Sequence, residues 1–422
     1  MDQTNPKRPL FDGLWRSPDF IKLWTGQTIS TLGTHITAGG LPLLALIPLK
    51  STPFQMGILQ AIGSAPVLLF SLVAGVWVDR LRRRPILIAA DLGRALILAS
   101  IPLAAVFGWL NIGQIYVVIA LVGILTVLFN SAYRAYLPSL VEQENIVEGN
   151  AKLSLSESAA EVVGPGLTGV LVQTITAPIA ILFDALSFLV SVISLAAIRK
   201  PEPPPAPPGE RQSMLLEARQ GIRTLIHQPV LLALTAEAAT SSFFGNFIGV
   251  LYALYAIRML NLSPAAIGLT IGVGGASSLI GALLAGRAVK RLGLGRMLIG
   301  LFFIDKLFSL LIPLAASFPA LGLVLLLVSQ SGDILGTIYF INSLSLRQSI
   351  TPPRLQGRVN ASIELLTAGV GPLGALAGGF LGQQLGVQAT LFIAVFGISL
   401  GGLWLLFSPI RRLKDFTSVQ VL

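Results

Sequence analysis

The composition of this 422-residue chain excludes most classes of water-soluble protein. Hydrophobic residues make up 54% of the sequence and charged residues 11%, and the mean hydropathy is +0.79, whereas about a quarter of an ordinary soluble domain is charged. The chain has no cysteine and two histidines, which excludes disulfides, thiol catalysis and Cys/His zinc sites. The net charge of +10 does not indicate a nucleic-acid partner, because no polar domain is present to carry a basic face. We therefore expect a protein surrounded mostly by lipid, without metal, cofactor or nucleic acid.

Twelve apolar runs follow one another along the chain, each long enough for a membrane-crossing helix of roughly 20 residues. Six lie in the first half, at 20–49, 54–78, 85–110, 114–133, 155–174 and 177–198, and six in the second half, at 230–257, 264–289, 297–318, 321–346, 361–385 and 387–408. Residues 1–19 carry charges of both signs and no cleavable apolar core, so we expect no signal peptide. The sequence predicts an all-α membrane protein with twelve transmembrane helices.

A proline-rich break divides the two sets of spans. Residues 199–212 read RKPEPPPAPPGERQ, and the prolines favour an extended spacer over a continuous helix. Residues 213–228 have the pattern of a short amphipathic helix on the cytoplasmic surface. A proline-rich ligand for a partner domain is the alternative to a plain spacer. We expect a six-helix bundle over 1–198, a linker over 199–229 and a second six-helix bundle over 230–422.

The positions of lysine and arginine predict the orientation. If both termini are cytoplasmic, all but four of the 29 basic residues lie in cytoplasmic segments. The exceptions are Lys50 and Arg258 in the opposite loops and Arg94 and Lys306 within spans. This asymmetry follows the positive-inside rule and accounts for the basic balance without an anionic partner. We expect a multi-pass protein of an inner or plasma membrane with both termini in the cytoplasm.

The two halves repeat each other. Five residues of the second span and its loop recur at one constant offset, with Gly57, Gly63, Gly75, Arg80 and Leu81 matched by Gly268, Gly274, Gly286, Arg291 and Leu292. Gly164-Pro165 likewise recurs as Gly371-Pro372. Related halves of six spans are typical of transporters in which two bundles rock around a site near the middle of the membrane.

The loop after the second span combines a glycine, an acid and several arginines. The residues are Gly75, Asp79, Arg80, Arg83 and Arg84. Gly75 permits close helix approach, and Asp79 can form charge-assisted hydrogen bonds with the arginines, which would latch one helix end to the next. The alternative, that the arginines serve only orientation, does not explain the acid. The second-half copy has Lys290 in place of Asp79, so we expect an asymmetric latch.

The fifth span contains Gly164, Pro165, Gly166 and Gly169, a set that also fits the dinucleotide pattern G-x-G-x-x-G. A dinucleotide loop follows a strand in a soluble βαβ unit, whereas this segment lies within an apolar span. Pro165 removes a backbone hydrogen bond, and the glycines allow tight packing. We expect a kinked, small-faced helix at a moving interface between the halves. The chain has no G-x-x-x-x-G-K-[ST] loop, so we expect no direct use of ATP.

These motifs resemble those of a known family. Residues 75–84 resemble the loop motif of the major facilitator superfamily, although Arg82 replaces its usual glycine, and 164–169 resembles the antiporter motif of its efflux members. Three further segments resemble the branch that contains macrolide-efflux and enterobactin-exporter proteins: 30–33, 132–141 and 183–188. The resemblance extends from about 20 to 408, and it implies the major facilitator fold and a bacterial inner (plasma) membrane.

Ionisable residues inside spans indicate the candidate site, because each is costly in hydrocarbon and normally faces a cavity or a partner. They are His35, Asp91, Arg94, Glu157, Glu161, Asp184, Glu237, Asp305, Lys306, Asp333 and Glu364. The resemblance implies that spans one, four, seven and ten line the cavity, which selects His35, Glu237 and Asp333 as proton or substrate residues. For each, a buried hydrogen-bonded role is the equal alternative. Secondary candidates are Glu157, Glu161 and Glu364. Asp91 and Arg94 share a helix face and can pair locally.

We expect a secondary active transporter that exports a small amphipathic solute, such as a drug, a macrolide or a siderophore-like metabolite. The resemblance implies alternating access and exchange for protons. A facilitator or importer of a small metabolite is the closer alternative, and a membrane enzyme or sensor is the remote one. The expected partners are the substrate, protons and the lipid bilayer, and the expected oligomeric state is a monomer.

The predicted topology is testable by reporter fusions near Pro205 and at Leu422. Both fusions should report a cytoplasmic position, because an even number of spans separates the two sites and the basic loops hold both inside. A fusion at Lys50 is the control and should report the opposite side. An external signal at Pro205 or Leu422 would contradict the count of twelve.

Overall fold

A computed structural model gives the fold. It describes residues 13–202 and 214–415, except for the side chains of Leu72, Val76, Asp79 and residues 214–219. Within these ranges the regular structure is helical, without strands: α1 Pro18–Leu46, α2 Pro53–Arg80, α3 Arg83–Val106, α4 Ile112–Leu140, α5 Ile146–Ile175, α6 Ala177–Ala196, α7 Met214–His227, α8 Pro229–Arg258, α9 Pro264–Leu292, α10 Leu294–Ser309, α11 Leu311–Leu314, α12 Gly322–Ser331, α13 Asp333–Ile350, α14 Gln356–Gln384 and α15 Val387–Leu406. The linker prolines at 203–208 and both chain ends lie outside the described residues.

The helices correspond to the predicted spans. Helices α1 to α6 form the first six, α7 lies where the amphipathic segment is predicted, the ninth span is α10 with α11, and the tenth is divided into α12 and α13. Eleven helical segments of the described chain are long and apolar enough to cross a membrane. The remaining one is α5, which carries Glu148, Lys152, Glu157 and Glu161 within its first sixteen residues. The chain is an all-α membrane protein with twelve transmembrane helices in two related six-helix bundles.

The second helix of each half begins with the same cap. In α2, Gln55 N donates to Thr52 Oγ1 (3.2 Å) and Thr52 N donates to Gln55 Oε1 (2.9 Å), which forms a capping box. In α9, Ala266 N donates to Ser263 Oγ (3.3 Å). A proline follows each cap residue at the first helical position, where its missing N–H costs nothing. Local sequence therefore fixes the same starting point for the second helix in both halves.

Helix packing within the halves follows one plan. Helix α1 packs on α5 and α6, and its counterpart α8 packs on α14 and α15. Helix α3 packs on α4 and α6, and its counterpart α10 packs on α13 and α15. Between the halves, α5 crosses α9 and α2 crosses α14. Each half thus contributes its second and fifth helices to the interface.

Glycines bring the crossing helices into backbone contact. A Cβ placed on Gly57 of α2 would lie 2.6 Å from the carbonyl oxygen of Ala375 and 3.1 Å from Gly379 Cα of α14. A Cβ on Gly268 of α9 would lie 3.2 Å from the Cα atoms of Gly166 and Gly169 of α5. Gly57 and Gly268 are a pair that the sequence repeat had matched. Small residues at these positions allow the two halves to approach more closely than any side chain would permit.

The two halves are joined at one end of the bundle. We call the end with the lysine- and arginine-rich loops the basic end. Both hydrogen bonds between the halves in the described chain lie at the opposite end, from Arg258 Nη2 to the Ser51 carbonyl (2.7 Å) and from Ala265 N to Gln173 Oε1 (3.2 Å). Towards the basic end, a Cβ on Gly75 or Gly286 would meet no atom within 4 Å. The described contacts therefore close the end opposite the basic end.

The junction between α5 and α6 stores backbone strain that a substitution should release. Thr176 has φ 81° and ψ 154°, and the corresponding junction before α15 has Gly386 at φ 87° and ψ 154°. Only glycine adopts this conformation readily, and other residues cost about 1–3 kcal/mol there. We expect Thr176→Gly to raise unfolding stability by about 1 kcal/mol, after the greater entropy of glycine in the unfolded chain is subtracted. Thermal unfolding in detergent would measure this.

Thr174→Gly is the matched control, because Thr174 lies in the last turn of α5 with helical geometry. That variant should lose a few tenths of a kcal/mol, since glycine is less favourable in a helix than threonine by about that amount and cannot replace the hydrogen bond from Thr174 Oγ1 to the Val170 carbonyl. If both variants lower the unfolding temperature equally, the junction is not strained.

Candidate functional site

A cavity lies between the two halves near their closed end. It has a volume of ≈ 290 Å³ and is lined by α1, α2, α5, α8 and α9. A second cavity of ≈ 280 Å³ shares Ala38, Pro42, Gln60, Gly249 and Ala253 with it, so the two form one continuous space. Because helices of both halves line this space, any rocking of the halves changes its shape.

The walls of the cavity are mainly apolar with few free polar groups. Thr168 Oγ1 donates to the Gly164 carbonyl (2.8 Å), and Tyr252 Oη donates to Thr270 Oγ1 (2.9 Å). In contrast, the imidazole of His35 and the side-chain amide of Gln60 form no hydrogen bond with described residues, although both line the cavity. These two groups are free to bind a solute. Gln60 was not a candidate from the sequence, because uncharged amides are not rare enough in spans to attract notice.

His35 lies in the cavity because α1 and α5 are in close contact. A Cβ on Gly164 would lie 2.5 Å from His35 Cβ, and Thr168 Oγ1 also donates to the His35 carbonyl (3.3 Å). The Gly-Pro motif of α5 therefore has two contacts: Gly164 faces α1 within its own half, whereas Gly169 faces α9 of the other half. In the second half, Gly371 packs against Asn246 of α8.

Glu237 does not line this cavity. It is 3% exposed, and its carboxylate accepts hydrogen bonds from Tyr339 Oη (2.5 Å) and Ser241 Oγ (2.7 Å). Lys306 and Arg347 are the cations that act on it. The seventh span therefore faces the cavity through Tyr252 and Gly249, while Glu237 lies in a buried polar group within the second half.

Asp333 lies at the break between α12 and α13 and is not among the residues that line the cavity. It is the first residue of α13, is partly exposed, and its Oδ2 lies against Gly274 of α9. Asp305 and Lys306 of α10, which form an ion pair at 2.5 Å, are the charged groups near it. Helix α9 lines the cavity through Ile271. Asp333 therefore contacts a helix of the cavity wall without lining the cavity itself.

The secondary candidates are divided between a pocket and the surface. Glu157 lines a pocket of ≈ 260 Å³ between α1, α4 and α5 that also includes Thr31, Asn130 and Arg134. This pocket lies nearer the basic end than His35. Glu161 and Glu364 are exposed, and their glutamate oxygens form no hydrogen bond in the described chain.

Two arginines of the loop motif, Arg83 and Arg84, form hydrogen bonds with the end of α6 and the residues that follow it. The backbone N–H groups of Arg83 and Arg84 donate to Glu202 (2.6 and 3.1 Å), and the Arg84 guanidinium donates to the carbonyls of Leu195 (2.8 Å) and Ala196 (2.6 Å) at the end of α6. Glu202 therefore caps the start of α3, a role the sequence did not suggest. Arg80 is exposed, and the Asp79 side chain lies outside the described residues.

In the second half, the corresponding third helix, α10, is capped by backbone carbonyls instead of a carboxylate. Leu294 N and Gly295 N, at the start of α10, donate to the carbonyls of Lys414 and Leu413 (both 2.9 Å). In each half, the chain that follows the sixth helix thus caps the third helix. The described residues contain no group of three His, Asp or Glu side chains that could hold a metal ion.

Comparison with known proteins places this architecture in a family. The family model of the Major Facilitator Superfamily matches residues 23–372. The chain belongs to this superfamily. It is 27% identical to the multidrug efflux pump Tap of Mycolicibacterium fortuitum, over 96% of this chain and 98% of that protein. It is 25% identical to the enterobactin exporter EntS of Citrobacter koseri, over 94% of each chain.

A solved structure supports the fold. The bacterial homologue of the iron transporter ferroportin, in an inward-facing state, superposes with a TM-score of 0.70 at 19% identity, covering 94% of this chain and 99% of that one. These comparisons confirm the predicted resemblance to the superfamily and its efflux branch. As a superfamily member, the chain is a membrane transporter and not an enzyme.

The latch hypothesis for Asp79 is testable by Asp79→Asn. The substitution keeps the size of the side chain and removes the only acid of the loop. We expect normal membrane insertion and transport about tenfold lower, the scale of a coupling free energy of 1–3 kcal/mol. Substrate efflux normalised to the amount of membrane-inserted protein would measure this.

Glu142→Gln, in the loop after α4, is the matched control and should leave transport unchanged. Asp79→Asn with full transport at equal expression would reduce the motif to an orientation signal.

Proposed function

We propose that this superfamily member is a proton-coupled exporter of a small amphipathic solute that works by alternating access. The observation that carries the proposal is the cavity between the halves, closed at the end opposite the basic loops by the glycine crossings. By the positive-inside rule the basic end faces the cytoplasm, in a bacterial inner membrane with both termini inside. The conformation is then inward-facing, as a transporter that takes its solute from the cytoplasm requires.

The lining of the cavity supports an amphipathic solute. Isoleucine, leucine, proline, alanine and glycine residues form most of its walls, and such surfaces favour apolar ligands. His35 and Gln60 offer hydrogen bonds for one polar group of the solute. No lysine, arginine, aspartate or glutamate is among the lining residues, which disfavours small, highly charged substrates. The functions of Tap and EntS, multidrug efflux and enterobactin export, are compatible with this solute class.

Proton coupling is assigned to Asp333 and its neighbours. Two acids, Asp305 and Asp333, lie beside one cation, Lys306, and acids inside spans are typical of proton relays in transporters. The route from Asp333 to the solute runs along α9, which Asp333 contacts and to which Tyr252 of the cavity wall donates through Thr270 Oγ1. Because α9 forms a crossing with α5, a change at Asp333 reaches the interface that closes the cavity. Glu237 would tune the same region through Lys306.

Efflux of a compound panel from cells with and without the protein, in the presence and absence of a protonophore, tests the proposal as a whole. Export that stops with the protonophore supports it. Accumulation instead of export would favour the importer alternative, and transport that the protonophore leaves unchanged would favour a facilitator.

The assignment of Asp333 is tested in proteoliposomes with an imposed pH gradient. Asp333→Asn should abolish uphill transport, since the amide cannot exchange a proton, while downhill exchange continues at a measurable rate. Glu237→Gln should shift the pH optimum without removing uphill transport. Downhill exchange in the same liposomes is the control for folding and solute binding.

Uphill transport by Asp333→Asn in proportion to the pH gradient would show that another group carries the proton. His35, Glu157, Glu161 and Glu364 are then the next candidates.

A further inference from the structure

The first half contains a buried charged network that the transport route above does not use. Asp91 and Arg94 of α3 and Asp184 of α6 are 0%, 3% and 1% exposed. Arg94 Nη2 donates to Asp91 Oδ1. The guanidinium carbon lies 4.4 Å from the ring centre of Phe129 and 4.1 Å from that of Phe188. The two rings cover the cation and limit its contact with water.

Asp184 is separate from this ion pair. Ser187 Oγ donates to its Oδ1 (3.1 Å), but no lysine, arginine or histidine nitrogen of the described chain lies within the 4.0 Å limit for an ion pair. The charged groups that act on Asp184 are Arg94 and Asp91 of α3. Helices α1 and α5 also pack on α6 and contribute no further charge among the described residues.

The network therefore contains two carboxyl groups and one cation. Arginine keeps its charge in proteins. A buried carboxylate without a cation of its own costs several kcal/mol, and such a group becomes neutral by taking up a proton. One bound proton makes the three residues neutral as a group.

Thr37 of α1 places a hydroxyl group beside the Asp184 carboxyl. It is 6% exposed and lies within reach of that carboxyl. A threonine hydroxyl both donates and accepts, so it can bind Asp184 in either protonation state. In the ion pair, Asp91 Oδ2 and Arg94 Nε are buried without a hydrogen-bond partner.

The same carboxyl is in contact with the helix that lines the cavity. A Cβ on Gly33 of α1 would lie 2.5 Å from Asp184 Oδ1, so α1 rests directly on this group. His35, two residues further along α1, lines the cavity. A change in the charge of Asp184 therefore acts on α1 close to the solute.

We propose that Asp184 is a proton-binding site of the first half, which shares one proton with Asp91 under the single charge of Arg94. Its occupancy acts on the cavity through the contacts of Asp184 with Gly33 and Thr37 of α1. The second half has a parallel arrangement, in which two acids and one base lie on α10 and α13. The effect on transport rests on the proposed proton-coupled function, whereas the presence of the proton does not.

Infrared spectroscopy of the purified full-length protein at neutral pH tests the proton directly. The wild-type protein should show the C=O stretching band of a protonated carboxyl group, and Asp184→Asn should lose that band. Asp333→Asn, which lies in the other half, should lose at most the band of Asp333 itself and keep the band that Asp184→Asn removes, so it serves as the matched control. Identical wild-type and Asp184→Asn spectra would overturn the proposal.

A second variant tests the charge count without touching Asp184. Asp91→Asn removes one of the two negative charges, so Asp184 alone balances Arg94 and should release its proton. The band should therefore disappear in Asp91→Asn as well. Persistence of the band in this variant would overturn the sharing of one proton, even if Asp184→Asn failed to fold.

Transport separates this proposal from the proposed function. If the protonophore leaves wild-type transport unchanged but the band behaves as expected, proton coupling fails and the Asp184 site stands. If wild-type transport is proton-driven but the band is absent, the site at Asp184 fails and the coupling assigned to Asp333 stands. Where both hold, Asp184→Asn should lower uphill transport about tenfold.

Discussion

Backbone contact at the two glycine crossings is the constraint on which the rest of this structure depends. Gly57 against α14 and Gly268 against α5 bring the halves together at the end opposite the basic loops. Without a hydrophobic driving force between helices in lipid, such close packing and the few hydrogen bonds beside it supply the attraction. The cavity between the halves follows from closure at this end.

The two halves share their helix caps and helix packing because their sequences repeat, whereas their polar and charged residues differ. Equivalent caps begin α2 and α9, and the chain after the sixth helix caps the third helix in both halves. The first half does this with the Glu202 carboxylate and the second with backbone carbonyls. The polar groups also differ, with a deeply buried Arg94 network in one half and a half-buried Lys306 network in the other. Equivalent scaffolds thus carry different buried charges in the two halves.

In the proposed mechanism, two carboxyl groups act through neighbours rather than by facing the cavity. Asp333 would reach the cavity through α9, and Asp184 through Gly33 and Thr37 of α1. This arrangement keeps the carboxyl groups out of an apolar binding space while their charge still acts on the helices that form it. The same helices carry the glycine crossings, so solute binding, proton binding and closure act on shared elements.

The sequence by itself determined the spans, the two halves, the basic loops and the family, because these depend on local composition and on repeated motifs. Length and apolar content indicate that α8 crosses the membrane, but they do not indicate which face of α8 meets the cavity. Lipid and protein interior are both apolar, so a span lacks the polar stripe that orients a surface helix. The resemblance had selected His35 for the cavity. Only the tertiary structure added Gln60 to it, buried Glu237 with Tyr339, and brought Asp184 of α6 to Arg94 of α3.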